Sequence, residues 1–98
     1  MWRHGDVLIA PARSLPAGAK KRTTAVLVRG ELTGHSHRLA EPETAELWEH
    51  DGVLFLKVFA DSARVIHEEH RTITLSRGLY RIWQQREYTP QAIRRVTD

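Results

Sequence analysis

Ala45-Glu46-Leu47-Trp48-Glu49-His50, then Asp51-Gly52, then Val53-Leu54-Phe55-Leu56-Lys57-Val58-Phe59-Ala60 is the stretch that decides the fold. Asp-Gly between two extended apolar segments is a preferred two-residue hairpin turn, because both central positions of that turn need positive φ. Val53 to Phe59 is apolar at nearly every position, which marks a strand covered on both faces and therefore central in its sheet. Working outward, Asp6 to Ala10 and Thr23 to Arg29 read as strands, the second rich in β-branched residues. Pro11 and Pro16 bracket a loop that runs through Gly18 to Lys20, Lys21 and Arg22. His35 to Leu39, Ala63 to His67 and Arg71 to Leu75 make further short strands. Ser76-Arg77-Gly78 reads as a three-residue hairpin loop into a last strand, Leu79 to Tyr88. Thr89-Pro90 predicts a C-terminal helical turn, with threonine as N-cap and proline at the first helical position. About seven short strands at regular spacing predict an all-β fold, a small antiparallel barrel or sandwich.

The 98 residues form one domain, 1–98, with room for a single core. Cysteine is absent, which excludes disulfides, thiolate metal sites and cysteine nucleophiles. No apolar run approaches the roughly 20 residues that span a bilayer, and no signal peptide is visible, so no membrane partner and a cytoplasmic setting are expected. Lys and Arg number 15 against 12 Asp and Glu, a net charge of +3. Only Lys20, Lys21 and Lys57 among these cations are lysine; the rest are arginine, whose planar fork suits phosphate and carboxylate. An anionic partner such as RNA or another nucleic acid fits this balance.

Histidine carries the chemical signal: the chain has 6, and four fall in two groups. In Gly34-His35-Ser36-His37-Arg38, strand geometry places His35 and His37 on one face about 6.6 Å apart at Cα. That spacing suits two imidazoles on one metal, or an acid and a base on one phosphate. In His67-Glu68-Glu69-His70-Arg71, a regular strand would put the histidines on opposite faces, and they converge only if a bulge or turn intervenes. His4 and His50 have no such company and read as surface or edge residues. On the last strand, alternation puts Tyr80, Ile82, Gln84, Arg86 and Tyr88 on one face. Arg86 there offers a fork for an anionic oxygen, and Tyr88 offers a hydroxyl. Trp48 and Trp83 read as core.

Gly30 to Glu41 resembles the first motif of cupins, a glycine before His-x-His with a glutamate following. The resemblance implies a divalent metal on His35, His37 and Glu41, completed by a second-motif histidine. Where that histidine is wanted the chain has Arg81, in Leu75-Ser76-Arg77-Gly78-Leu79-Tyr80-Arg81. Most of the length is similar to a group of uncharacterised short bacterial and phage proteins. They share Gly5-Asp6-Val7-Leu8, Gly30 to His37, His67 to His70 and Gln85 to Pro90. The Gly-Asp-Val opening followed by a basic loop also resembles SH3-like barrel endoribonuclease toxins.

Three functions compete. The first is phosphodiester chemistry on RNA, of ribonuclease type and without a cofactor. Here His35 or His37 with His67 or His70 act as base and acid, Tyr88 orients the phosphate, and Arg38, Arg71, Arg86, Lys20 and Lys21 hold it. The second is a centre for one divalent metal ion on His35, His37, His67, His70 and Glu68, with Glu41 as the other possible carboxylate. The third is a non-catalytic RNA- or protein-binding module that uses exposed aromatics such as Trp2. A barrel this small has little concave surface of its own, so a homo-oligomer that completes the cleft is also expected.

Overall fold

The computed structural model describes residues 1–29 and 35–84. Among them are eight strands and one short 3₁₀ turn: β1 (Trp2–His4), β2 (Val7–Pro11), β3 (Lys20–Arg22), β4 (Val26–Arg29), β5 (Ser36–Leu39), β6 (Ala45–His50), β7 (Val53–Ile66) and β8 (Ile73–Gln84), with the turn at Pro42–Thr44. All pairings are antiparallel. One path through the sheet runs β1-β2-β8-β7-β5-β4, and β6 joins β7 to β3. The all-β expectation holds, and the sheet is curved without closing its edges. No helix among the described residues is long and apolar enough to cross a membrane.

The Asp51-Gly52 hairpin forms as its residues dictate, with φ of 50° at Asp51 and 78° at Gly52. β7 is central: β8 lies along one side, and β6 and then β5 share the other. Two expectations need correction here. Lys20 to Arg22 is not loop but strand, paired to Leu47 through Glu49 of β6. Ser76-Arg77-Gly78 is not a hairpin loop: β8 runs through it without a break, and the reversal lies earlier, between Ile66 and Ile73. The glycine that reads as a turn signal serves a bend instead. Between the pairs Val58↔Gly78 and Ser62↔Ser76, β7 has three residues where β8 has one. That bulge turns β7 over, so the inward residues change from Leu56 and Val58 to Ala63 and Val65. β8 makes the same change from Leu75 to Tyr80 and Ile82, across Gly78 at φ 154°. The expected turn at Thr89-Pro90 lies outside the described residues.

The bend has a large consequence. A straight strand of twelve residues keeps its ends about 36 Å apart. Yet Gln84, at one end of β8, and Arg71, just before the other, bond to Asp6 in the β1–β2 turn and to His4 at the end of β1. Gln84 donates to Asp6, and the Arg71 carbonyl accepts from His4. The β7–β8 hairpin therefore curls until its tip meets the start of the chain. Val7, Ile9, Leu39, Leu47, Leu56, Val65, Leu75 and Ile82 fill the space it encloses. Trp48 and Trp83 are outside that core, contrary to the expectation. Both are half-buried on the outward face, because their neighbours Leu47 and Ile82 take the inward positions; the Arg81 guanidinium covers Trp83 at 4.7 Å. Trp2 is also half-buried, edge-on to Tyr80 at 5.6 Å.

Candidate functional site: a five-histidine cluster

Where the hairpin tip meets the β1–β2 turn, five of the six histidines come together. His67 and His70 flank the tip turn after Ile66, outside regular strand, and their rings converge to 4.5 Å between centroids. The intervening turn is what a spacing of three requires. His37, on β5, lies 4.4 Å from His67 and 5.8 Å from His70, stacked on the latter within 10°. His35, just ahead of β5, stands 5.6 Å from His67. His35 and His37 thus both approach His67, as the i and i+2 spacing predicts.

His4 is the member that the sequence reading misses. It is 2 % exposed, and its ring lies 4.8 Å from His37, 5.4 Å from His70 and 5.9 Å from His67. The reading of His4 as a surface or edge residue is corrected by the tertiary fold. β1 is an edge strand, but the hairpin tip covers its last residue. A partial signal exists in Gly5. Gly5 has φ +67° in the two-residue turn, and a Cβ on it would fall 2.5 Å from His70 Nε2. A glycine required both by the turn and by a neighbouring ring marks close approach. His50 remains apart, beside Gly18 and Asp51.

Charged groups fix the rim. Glu68 Oε1 accepts the Ser36 backbone N–H at 3.1 Å, and Oε2 accepts Arg38 at 2.9 Å. Arg38 also donates to the Ser36 carbonyl at 2.8 Å. These bonds tie the tip turn to β5. The backbone N–H of Glu68 itself, then that of Ser36 and the Arg38 guanidinium, hold the Glu68 carboxyl down to about 2. Glu69 Oε2 stands 3.8 Å from His35 Nδ1, and Asp6 Oδ1 stands 3.8 Å from His37 Nε2. His67 Nδ1 accepts the Glu69 backbone N–H at 3.0 Å. Burial pushes the His37 imidazole down to about 4, helped by His4, His67 and His70 and opposed by Asp6. Burial also lowers His4, with the Arg71 carbonyl opposing it. Both are therefore neutral imidazoles at neutral pH, unsuited to carry a second proton.

The other expected site residues scatter. Arg71 joins the cluster through its carbonyl, and its side chain is exposed. Lys20 and Lys21 lie on β3, separated from β1 in the sheet by β6, β7, β8 and β2, and Lys21 is paired with Glu46. Glu41, the carboxylate of the cupin resemblance, is held by Arg64. Arg86 and Tyr88 lie outside the described residues. An apolar recess at Leu15, Val58, Phe59 and Leu79 sits at the bend of β7 and β8, not at the histidines.

Among the described residues, one atom from each of His35, His67 and Glu68 lies within 4.8 Å of the other two, the span of a shared ion. No curated protein and no solved structure matches the chain. Residues 3–85 match a family described as a domain of unknown function, DUF8820, and the chain belongs to that family.

Proposed function

We propose, for this member of the DUF8820 family, a histidine-ligated centre for one divalent transition metal, whose bound water attacks a phosphodiester such as RNA. The observation that carries this reading is the convergence of His35, His67 and Glu68 within 4.8 Å beside three further imidazoles, His4, His37 and His70. Neutral imidazole suits zinc, iron, nickel and copper, and a single carboxylate beside several nitrogens leaves a position open for water. A metal-bound water of lowered pKa supplies a nucleophile near neutral pH. The His67 lone pair is at Nδ1, which now accepts from Glu69. Holding an ion through that nitrogen would give up this bond, worth about 1 kcal/mol. Arg71, exposed on the tip turn, supplies a cation for the phosphate at the rim.

A second reading has its own support. His4 and His37 share a bond of 2.8 Å between their Nδ1 atoms, and such a pair positions a base to take the proton of an RNA 2′-hydroxyl as its oxygen attacks phosphorus and the P–O5′ bond breaks, a second histidine protonating the departing 5′-oxygen. One experiment separates the two. The purified protein is analysed for metal, stripped with chelator, reloaded and incubated with structured RNA in each state. The metal reading expects a stoichiometric ion in the wild type, its loss in the His35→Ala, His67→Ala double variant, and cleavage only after reloading. A folded protein that retains no zinc, iron, nickel or copper overturns it. Cleavage that survives chelation, with a bell-shaped pH profile, moves the assignment to the second reading.

A further inference from the structure

The outward face of the sheet carries residues that the histidine site does not use. Cross-strand partners share a face, so the pairings Arg3↔Leu8 and Leu8↔Trp83 set Arg3, Leu8 and Trp83 in one row. The next row, from Phe55↔Arg81 and Trp48↔Phe55, is Arg81, Phe55 and Trp48. The loop ahead of β3 approaches this face: Leu15 lines a recess with Lys57 and Leu79, and Gly18 lies against His50. Phe55, on β7 between Lys57 and the His50 partner Val53, is 9 % exposed. Arg3 and Arg81 are exposed, and Trp83 is half-buried with the Arg81 guanidinium 4.7 Å from its ring centroid. This end of the face adjoins the histidine site. Trp83 precedes Gln84, which donates to Asp6, and Arg3 precedes His4.

We propose that Arg3, Arg81 and Trp83 form a docking surface for single-stranded nucleic acid. An unpaired base has a flat face to lay on the indole, or on the guanidinium plane stacked against it. The phosphates on either side of that base meet two arginines, whose planar forks pair with phosphate oxygens. Bases in a duplex are already stacked on one another and offer Trp83 no free face, so the surface selects single strands. Charge points to the same class of partner. Arg3, Arg81, Lys57 and Lys21 stand on this face by register, and Glu46, the carboxylate that accompanies them, is engaged by Lys21. That balance favours a polyanion over an apolar protein surface. The choice of nucleic acid stands on the stack and the charge; that the bound strand is the substrate rests on the function proposed above.

The test uses the full chain in chelator and a short fluorescent oligothymidylate, which has no 2′-hydroxyl, so that neither cleavage route can act. Anisotropy should report binding that weakens as salt rises, with a duplex of equal length bound more weakly. Trp83→Ala should lower the affinity about ten-fold or more, the loss of one stacked base. Arg81→Gln, at an exposed position, should also weaken binding and reduce the slope of log affinity against log salt by about 0.7. In the wild type, the indole N–H signal of Trp83 should shift on adding the oligonucleotide, while that of Trp2, packed edge-on to Tyr80, should not. An unshifted Trp83 signal, or equal affinity for duplex and single strand, overturns the proposal even if Trp83→Ala fails to fold. So does a dimer whose Trp83 signal changes on dilution and not with oligonucleotide, because a second copy then covers the face. Oligonucleotide binding without any cleavage of RNA, in either metal state, overturns the proposed function and leaves the surface standing. RNA cleavage with oligonucleotide affinity unchanged in both variants does the reverse.

Discussion

At the scale of single residues, the cluster costs the protein stability in acid. The His37 imidazole moves from an ordinary 6.5 to about 4 on folding, chiefly through burial, so the unfolded chain binds more protons between those values. Stability therefore falls as the pH drops from about 6.5 towards 4, by about 3 kcal/mol for His37 alone, and His4 acts in the same direction. Below about 4.5, protonation of Glu68, held down to about 2, removes further stability. Urea midpoints at pH 7, 5.5 and 4.5 check this, and a flat profile would contradict neutral burial of the pair. Gly5 supplies a second prediction. Gly5→Ala places a methyl 2.5 Å from His70 Nε2 in a left-handed backbone, so it should cost about 1–2 kcal/mol and displace the His70 ring. Thermal melts and imidazole chemical shifts report the two effects separately. His4 shows why such residues escape a reading by spacing. Its partner His37 is 33 positions away and Arg71 is 67 away, and no local pattern spans such separations.

Among the elements, the bent β7–β8 hairpin is what builds the site. Its first half was legible, because Asp51-Gly52 and the apolar run from Val53 leave the chain little choice. The bend was not legible. Ser76-Arg77-Gly78 has the composition of a turn, and a glycine with positive φ serves a kink in a continuous strand equally well. What decides between them is the pairing of Ser62 with Ser76 and of Val58 with Gly78 across the bulge, a property of two strands together. Leu75 anchors the returning half and is fully buried. Leu75→Ala should cost about 2–5 kcal/mol and loosen the tip, so that the imidazole signals of His67 and His70 broaden or move even under conditions where the fold persists. Unchanged rings in a destabilised but folded variant would show that the tip is held by Glu68 and Arg38 instead.

On the scale of the whole molecule, metal affinity and folding are linked, because the five rings meet only in the folded chain. A divalent ion at about 100 times its Kd should add about 2.7 kcal/mol to the free energy of unfolding. Chelator or the His35→Ala, His67→Ala double variant should abolish the gain, and differential scanning calorimetry with and without zinc measures it. The sequence by itself determined the fold class and the central hairpin, because strand alternation and turn chemistry are local and act through adjacent residues. It also excluded thiolate as a metal ligand, since there is no cysteine. Only the tertiary structure decided that His67 and His70 converge, that His4 joins them, and that His37 Nε2 lies 3.8 Å from Asp6 Oδ1. These follow from the curl of β8, which brings both of its ends to the turn between β1 and β2. That curvature is set by pairing and packing between segments far apart in the chain, and no short window of residues encodes it.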